Sequence, residues 1–296
     1  MKKLLLLFVF ACFLFFNAQA QDKLPRPDHV IIVMEENHSF DQIMGNKNAP
    51  YINQLAGEGA LFTDAHGVTH PSQPNYLAIY AGSIHGVTDD HCLKSVTPFH
   101  TMNLGWALIH AGYSFAGYSD AMKETGDPGC GYGKSKFEGG SPLYARKHNP
   151  WVDWMGTGEH NIPATTNQPL FRMPVDYSKL PTVSFVMPDE DHDMHNGTRS
   201  AGGITTIKEG DLWLEHHLGP YVKWAMKHNS LLIVTYDEDN GTPKNRIPTI
   251  FVGPMVKAGK YSMEINHYNV LRTIEAMYRL EKSGPAKAAV ISSIWK

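Results

Sequence analysis

The sequence predicts an α/β fold, with a mostly parallel central sheet covered by helices on both faces. Three observations predict it. Short apolar runs of strand length recur along the chain. Segments with helical periodicity separate them, and two of these stop at glycine. The runs are apolar throughout rather than alternating, as expected of strands buried on both sides.

In chain order, His29–Met34 (HVIIVM) is the first strand and ALFTDA, residues 60–65, the second. QPNYLAIYAG, 73–82, reads as a helix stopped by Gly82. NLGWALIHAG, 103–112, reads as another, and YSFAGYS, 113–119, as the strand after it. Thr182–Pro188, SLLIVTY (230–236) and IPTIFVGP (247–254) are further strands. Residues 207–229 are helical in period, with a kink expected at Gly219-Pro220. HYNVLRTIEAMYRL, 267–280, closes the chain with a helix. Residues 120–180 are rich in Gly, Pro, Asn and aromatics and read as an irregular cap or insertion. Its Tyr132, Phe137, Tyr144, Trp151 and Trp154 fit either a ligand groove or a small core of the insertion itself.

The first residues, MKKLLLLFVFACFLFFNAQAQD, have the pattern of a leader: two lysines, an apolar run, then Ala18-Gln19-Ala20. The run is shorter than the roughly 20 residues of a membrane span. Residues 1–20 are therefore expected to be a signal peptide, with one domain over 21–296 in an exported, periplasmic or secreted protein. A lipid anchor at Cys12 fits less well, because Val-Phe-Ala precedes it and the better cleavage site lies downstream. Loss of Lys2 and Lys3 takes the formal net charge from −3 to −5. No basic stripe marks a nucleic-acid binder, and no later apolar run is long enough to cross a bilayer. Cys92 and Cys130 remain, and in an oxidising compartment they most simply form one disulfide.

Ligands of open α/β sheets bind beyond the carboxyl ends of strands. Glu35, Glu36, Asn37 and His38 follow the first strand, and Asp189 to His195 (DEDHDMH) follow Thr182–Pro188. Asp237, Glu238, Asp239 and Asn240 follow SLLIVTY, and His267 stands just before the last helix. Carboxylates gathered this closely repel one another, and a divalent cation relieves the repulsion. Carboxylate, amide and imidazole are the ligand set of Zn, Mn, Mg or Ca. Glu215-His216-His217 lacks His-Glu-x-x-His spacing and reads as a solvated helix face. Ser72, in THPSQPNYLAIYAG, has two readings of equal weight. It caps the helix that starts there, or it is a nucleophile presented by that helix start.

Taken together, VMEENHSFDQIMGN, THPSQPNYLAIYAGS, KHNPWVDW, MPDEDHDMH and IVTYDEDNG…NRIPTIFVGP…HYNVLRTIEAMY resemble a bacterial phosphoesterase family. That family contains acid phosphatases and phosphatidylcholine-type phospholipases C and belongs to the alkaline phosphatase superfamily. The matches run in the family's order from about Asp28 to Leu280. The resemblance implies an alkaline-phosphatase-like three-layer sandwich and one or two divalent metal ions. It implies Ser72 as nucleophile and Glu36, Asn37, Asp237 and Glu238 as metal ligands, with Asn37 also contacting a phosphoryl oxygen. Asp189, Asp193 and His267 would serve a second metal site, and His192 and His195 would serve as catalytic imidazoles. His148 and Asn75 would contact substrate. Glu238 and Asp189 depart from the family's usual residues, Asp and Asn. A sulfatase would carry Arg where Tyr76 stands.

The function implied is a secreted metal-dependent phosphoesterase acting on phosphate monoesters through a phosphoserine. The substrate would be a small-molecule or lipid phosphate ester. The alternative is a phosphodiesterase or phospholipase C acting on lipid head groups. A non-catalytic cation-binding export protein is a third reading.

Overall fold

The computed structural model describes residues 24–93, 98–137, 141–196, 204–285 and 287–296. The expected leader and Cys12 lie outside them. The strands are β1 (His29–Glu35), β2 (Ala60–His66), β3 (Phe115–Ser119), β4 (Gly131–Tyr132), β5 (Tyr144–Ala145) and β6 (Asn167–Pro169). They continue with β7 (Val183–Met187), β8 (Ser230–Tyr236), β9 (Arg246–Val252), β10 (Gly259–Tyr261) and β11 (Ile265–Asn266). The helices are α1 (Phe40–Ile43), α2 (Pro50–Glu58), α3 (Ser72–Ala81), α4 (Leu104–His110), α5 (Ile204–Ala225) and α6 (His267–Tyr278).

A nine-stranded sheet runs β10-β2-β9-β8-β1-β7-β3-β6, with β11 paired to β2 beyond β10. Every pairing in it is parallel except those of β9, which runs against both β2 and β8. All of β8 and all but the first residue of β1 are buried. That continuous burial requires cover on both faces. Two groups of helices supply it: α3, α4 and α6 pack with one another, and α2 packs with α5. Asp211 of α5 fastens the second group by accepting from Tyr51 N and Ile52 N, two otherwise orphaned donors in the first turn of α2. Pro220 is accommodated inside α5, which continues to Ala225.

The segment 120–180 contains short 3-10 turns and the small β4–β5 hairpin. It is not a separate cap. Its β6 forms the sheet edge beside β3, and Trp151 and Trp154 are wholly buried in the main core. Gly117 in β3 makes this possible, since a Cβ there would lie 2.1 Å from the Trp151 ring. Of the two readings of these aromatics, groove or small core, Trp151 and Trp154 take neither form but join the main core, while Tyr132 stacks on Tyr144 at 4.6 Å. Cys92 and Cys130 form the expected disulfide.

Replacing both cysteines by serine should lower the unfolding free energy by about 2–4 kcal/mol, since the bridge closes a long loop of the unfolded chain. Urea titration with and without reductant measures it. A second expectation concerns His85, which sits 4.6 Å from the Phe99 ring and 5.2 Å from Trp154. Burial lowers its pKa below the ordinary 6.5. A depressed base favours the fold above its unfolded pKa, and that stability is lost as pH falls below 6.5. The melting temperature of the wild type should fall more steeply between about pH 7 and pH 5 than that of His85→Asn.

Candidate active site

The parallel strands point their carboxyl ends to one edge, and the polar segments after β1, β2, β7 and β8 meet there. Ser72 is the first residue of α3, and Pro71 is its N-cap. The capping role considered for Ser72 is thus not the one it plays. Its Oγ instead donates to Glu36 Oε2 at 3.0 Å. Two further anchors fix the start of this helix. Gln73 N donates to Asp90 Oδ1 at 2.9 Å, and Asp90 Oδ2 lies 3.4 Å from Lys147 Nζ.

Glu36 is fully buried and both its oxygens are engaged. Oε2 also accepts from Asn37 Nδ2 at 2.6 Å. Oε1 accepts from Tyr76 Oη at 2.6 Å and lies 3.0 Å from His148 Nε2. Burial pushes the Glu36 pKa up, but the charge and hydrogen bond of His148, with the charges of Lys147 and His195, together outweigh it and hold the carboxyl well below the usual range. Asn37 takes φ 55°, a left-handed conformation asparagine tolerates, and its N–H donates to Asp237 Oδ1 at 3.0 Å. Asp237 Oδ2 is buried with no hydrogen-bond donor. Burial, then Glu36 and Glu238, pushes Asp237 well above the usual carboxylate range. Glu238 is pushed up to about 7 by burial and Glu36, against the pull of His70, 2.8 Å away.

An orphaned buried carboxylate oxygen, among three acids and an amide, fits a hard divalent cation that takes oxygen ligands. Glu36, Asn37, Asp237 and Glu238 surround this oxygen, but the three acids are not drawn together as closely as the two acid–imidazole groups described next.

A second set lies beside Glu36. His148, Glu190 and Asp193 are buried and close enough to share one ion. His148 stacks on Tyr76 at 4.8 Å, with Asp193 Oδ2 3.3 Å from Nδ1 and Glu190 Oε1 3.7 Å from Nε2. His195 Nδ1 lies 2.9 Å from Glu190 Oε2. Burial disfavours the charged imidazole of His195, but Glu190 prevails and raises its pKa to about 10. His195 is the imidazole of the DEDHDMH loop that joins this set.

Asp189 and His192 do not. They form a separate cluster with Asp120, in which His192 Nδ1 lies 2.6 Å from Asp189 Oδ1. The loop after β7 turns sharply at Met194, φ 76°, and divides its polar side chains between the two places. His267, expected at the metal, meets the Asp237 backbone through one ring nitrogen: its Nε2 lies 2.7 Å from the carbonyl oxygen. Asn75, expected on substrate, spends its amide on the loop before α3. Oδ1 accepts from Val68 N and Thr69 N, and Nδ2 donates to Thr69 O and Pro71 O. Tyr76, Glu190, His70 and Asp90 were not singled out by sequence. For Glu190 a signal was present, since it lies inside the acidic run after Thr182–Pro188, and His70 stands two residues before Ser72 in the quoted stretch.

Asn75→Ala leaves buried backbone groups unpaired and should cost on the order of 3 kcal/mol, with a loss of turnover as the loop presenting Ser72 loosens. Urea unfolding and ester hydrolysis measured side by side check it.

The family model described as the Phosphoesterase family matches residues 46–281. A phosphatidylinositol-3-phosphatase of Mycobacterium tuberculosis is 45% identical over 93% of this chain and 85% of its own length. A probable acid phosphatase of Kluyveromyces lactis is 28% identical over 86% of this chain, which spans 58% of that relative. A solved alkaline phosphatase superfamily protein of Vibrio parahaemolyticus shares the fold, with TM-score 0.57 and 15% identity over 86% of this chain and 67% of that one. The chain belongs to the Phosphoesterase family and is a hydrolase of phosphoric ester bonds.

Proposed function

We propose that this protein is an exported, divalent-metal-dependent phosphomonoesterase that works through a phosphoserine at Ser72. We infer further that its substrates include phosphorylated inositol lipids, the substrate class named for the mycobacterial relative. One observation carries the reading: the Ser72 hydroxyl, at the first turn of α3, is hydrogen-bonded to buried Glu36 amid Asn37, Asp237 and Glu238. Phosphatase names on both relatives support a monoester over the phospholipase C alternative.

A divalent cation held by Glu36, Asn37, Asp237 and Glu238 would supply the positive charge that makes a serine oxygen nucleophilic and steadies phosphoryl oxygens. The remaining work falls to the chain. Tyr76 and His148 fix the Glu36 carboxylate that orients Ser72. The amides of the first turn of α3 favour an anion beside Ser72. Ser72 Oγ bonds to phosphorus as the bond to the leaving oxygen breaks, and the serine proton leaves on the Glu36 side. His195, braced by Glu190, is the proton donor to the leaving oxygen. Water then attacks the phosphoserine, His195 recovers a proton from it, the proton held on the Glu36 side returns to Ser72 Oγ as its bond to phosphorus breaks, and phosphate is released.

Ser72→Ala should lower hydrolysis of a chromogenic phosphate monoester by about a thousandfold or more with the melting temperature kept. A variant with near-wild-type turnover rejects the nucleophile. Dialysis against chelator should abolish activity, and adding back Zn, Ca, Mg or Mn singly identifies the ion. Full activity after chelation rejects the metal.

A further inference from the structure

The two most exposed large apolar side chains of the described residues are Phe171, 73% exposed, and Val175, 96% exposed. Both lie on the segment that leaves β6. This segment is not loosely held. Pro169 precedes a 3-10 turn, Leu170–Arg172, in which Leu170 is buried, and Met173 packs on the core. Beneath the two side chains runs a mainly apolar groove of about 360 Å³, lined by Met122, Leu170, Met173 and Tyr177 among others, with Asp120 and His217 as its charged and titratable members.

Because β6 is parallel to β3, and β3 to β7 and β1, the segment leaves the sheet at the same edge as the Ser72 site. Strand spacing puts β6 roughly 14 Å from β1. The charge of the segment is also one-sided. Asp176 is answered by Lys179 at 3.3 Å, while Arg172 has no acidic partner among the described residues. Its guanidinium stands instead beside the Phe171 ring, 5.9 Å from its centre. A fixed pair of exposed apolar side chains flanking a spare cation matches the boundary between acyl chains and anionic head groups.

We propose that this edge docks on an anionic phospholipid bilayer. Phe171 and Val175 enter the acyl boundary, Arg172 lies at the level of the lipid phosphates, and a lipid-borne phosphate ester is thereby brought to the Ser72 site. The last step rests on the phosphomonoesterase reading above; the docking itself does not.

The test uses flotation of the whole protein with vesicles of phosphatidylcholine and phosphatidylinositol, comparing wild type with the double variant Phe171→Ser, Val175→Ser. The wild type should float with the vesicles, and the variant should do so about tenfold less or lower still. Both should hydrolyse a soluble chromogenic monoester at the same rate, which also shows that the variant is folded. The variant should be slower only on a phosphorylated inositol lipid in the same vesicles. Equal flotation of the two proteins, or a wild type that stays at the bottom, overturns the proposal. So does a wild-type dimer in sedimentation that the variant breaks while neither protein floats, since a second copy then covers the patch. Wild-type flotation lost in the variant, with neither protein hydrolysing any ester, sinks the phosphomonoesterase reading and leaves the docking standing.

Discussion

The Glu36 carboxylate is the point on which the candidate site depends. It is fully buried, and a buried charge is tolerated only when it is paired and hydrogen-bonded. Its partners come from separate parts of the chain: Asn37 beyond β1, Ser72 and Tyr76 from α3, and His148 from the insertion. Satisfying one carboxylate therefore fixes the approach of α3 to β1 and the seat of the insertion over both. The arrangement leaves negative charge in excess around Asp237, whose second oxygen has no donor. Five acids, Glu36, Asp237, Glu238, Glu190 and Asp193, share the region. The imidazoles His70, His148 and His195 with Lys147 answer part of that charge, and the remainder gathers on the side where Ser72 stands.

Much of this was legible in the sequence. Wholly apolar runs followed at once by acids gave both the strands and the edge at which they meet, because a parallel sheet sends every carboxyl end the same way. The direction of β9 was not legible, since RIPTIFV is as apolar as its parallel neighbours and hydrogen-bond pairing alone decides its sense. Nor was the division of DEDHDMH. Seven residues with six polar side chains carry no periodicity, and only the turn at Met194 sends His195 toward Glu190 and leaves His192 with Asp189. Asn75 shapes the loop before α3 with both ends of its amide, and a sequence does not distinguish a polar group that shapes a loop from one that meets a ligand. Tyr76 was read for what it excluded, while its hydroxyl is a principal donor to Glu36.

The insertion shows how a segment without periodicity becomes rigid. It contributes β6 to the sheet, places Trp151 over Gly117, and is tied by Cys130 to Cys92. The other end of that bridge lies two residues from Asp90, which holds both Gln73 N and Lys147 Nζ. Lys147 neighbours His148. The disulfide thus closes a circuit in which the helix start bearing Ser72 and the imidazole facing Glu36 are held by the same stretch of chain. Reduction should reach the site through Asp90 even though neither sulfur touches it.

This layout separates two tasks along one edge of the sheet. Around β1, β2 and β8 the side chains are buried, ionic and mutually constrained, so that a change in one disturbs its neighbours. Around β3 and β6 the edge is mainly apolar and built on short turns, and Asp120, which lines its groove, belongs to the cluster with Asp189 and His192. The loop after β7 serves both, because Asp189 and His192 belong to that cluster while Glu190, Asp193 and His195 lie on the Glu36 side. Backbone hydrogen bonds from His192 N and Asp193 N to Asp189 O make the loop a single compact turn. The turn at Met194 therefore lies between the edge proposed to dock on lipid and the centre proposed to cleave the ester, and its two sets of side chains face one each.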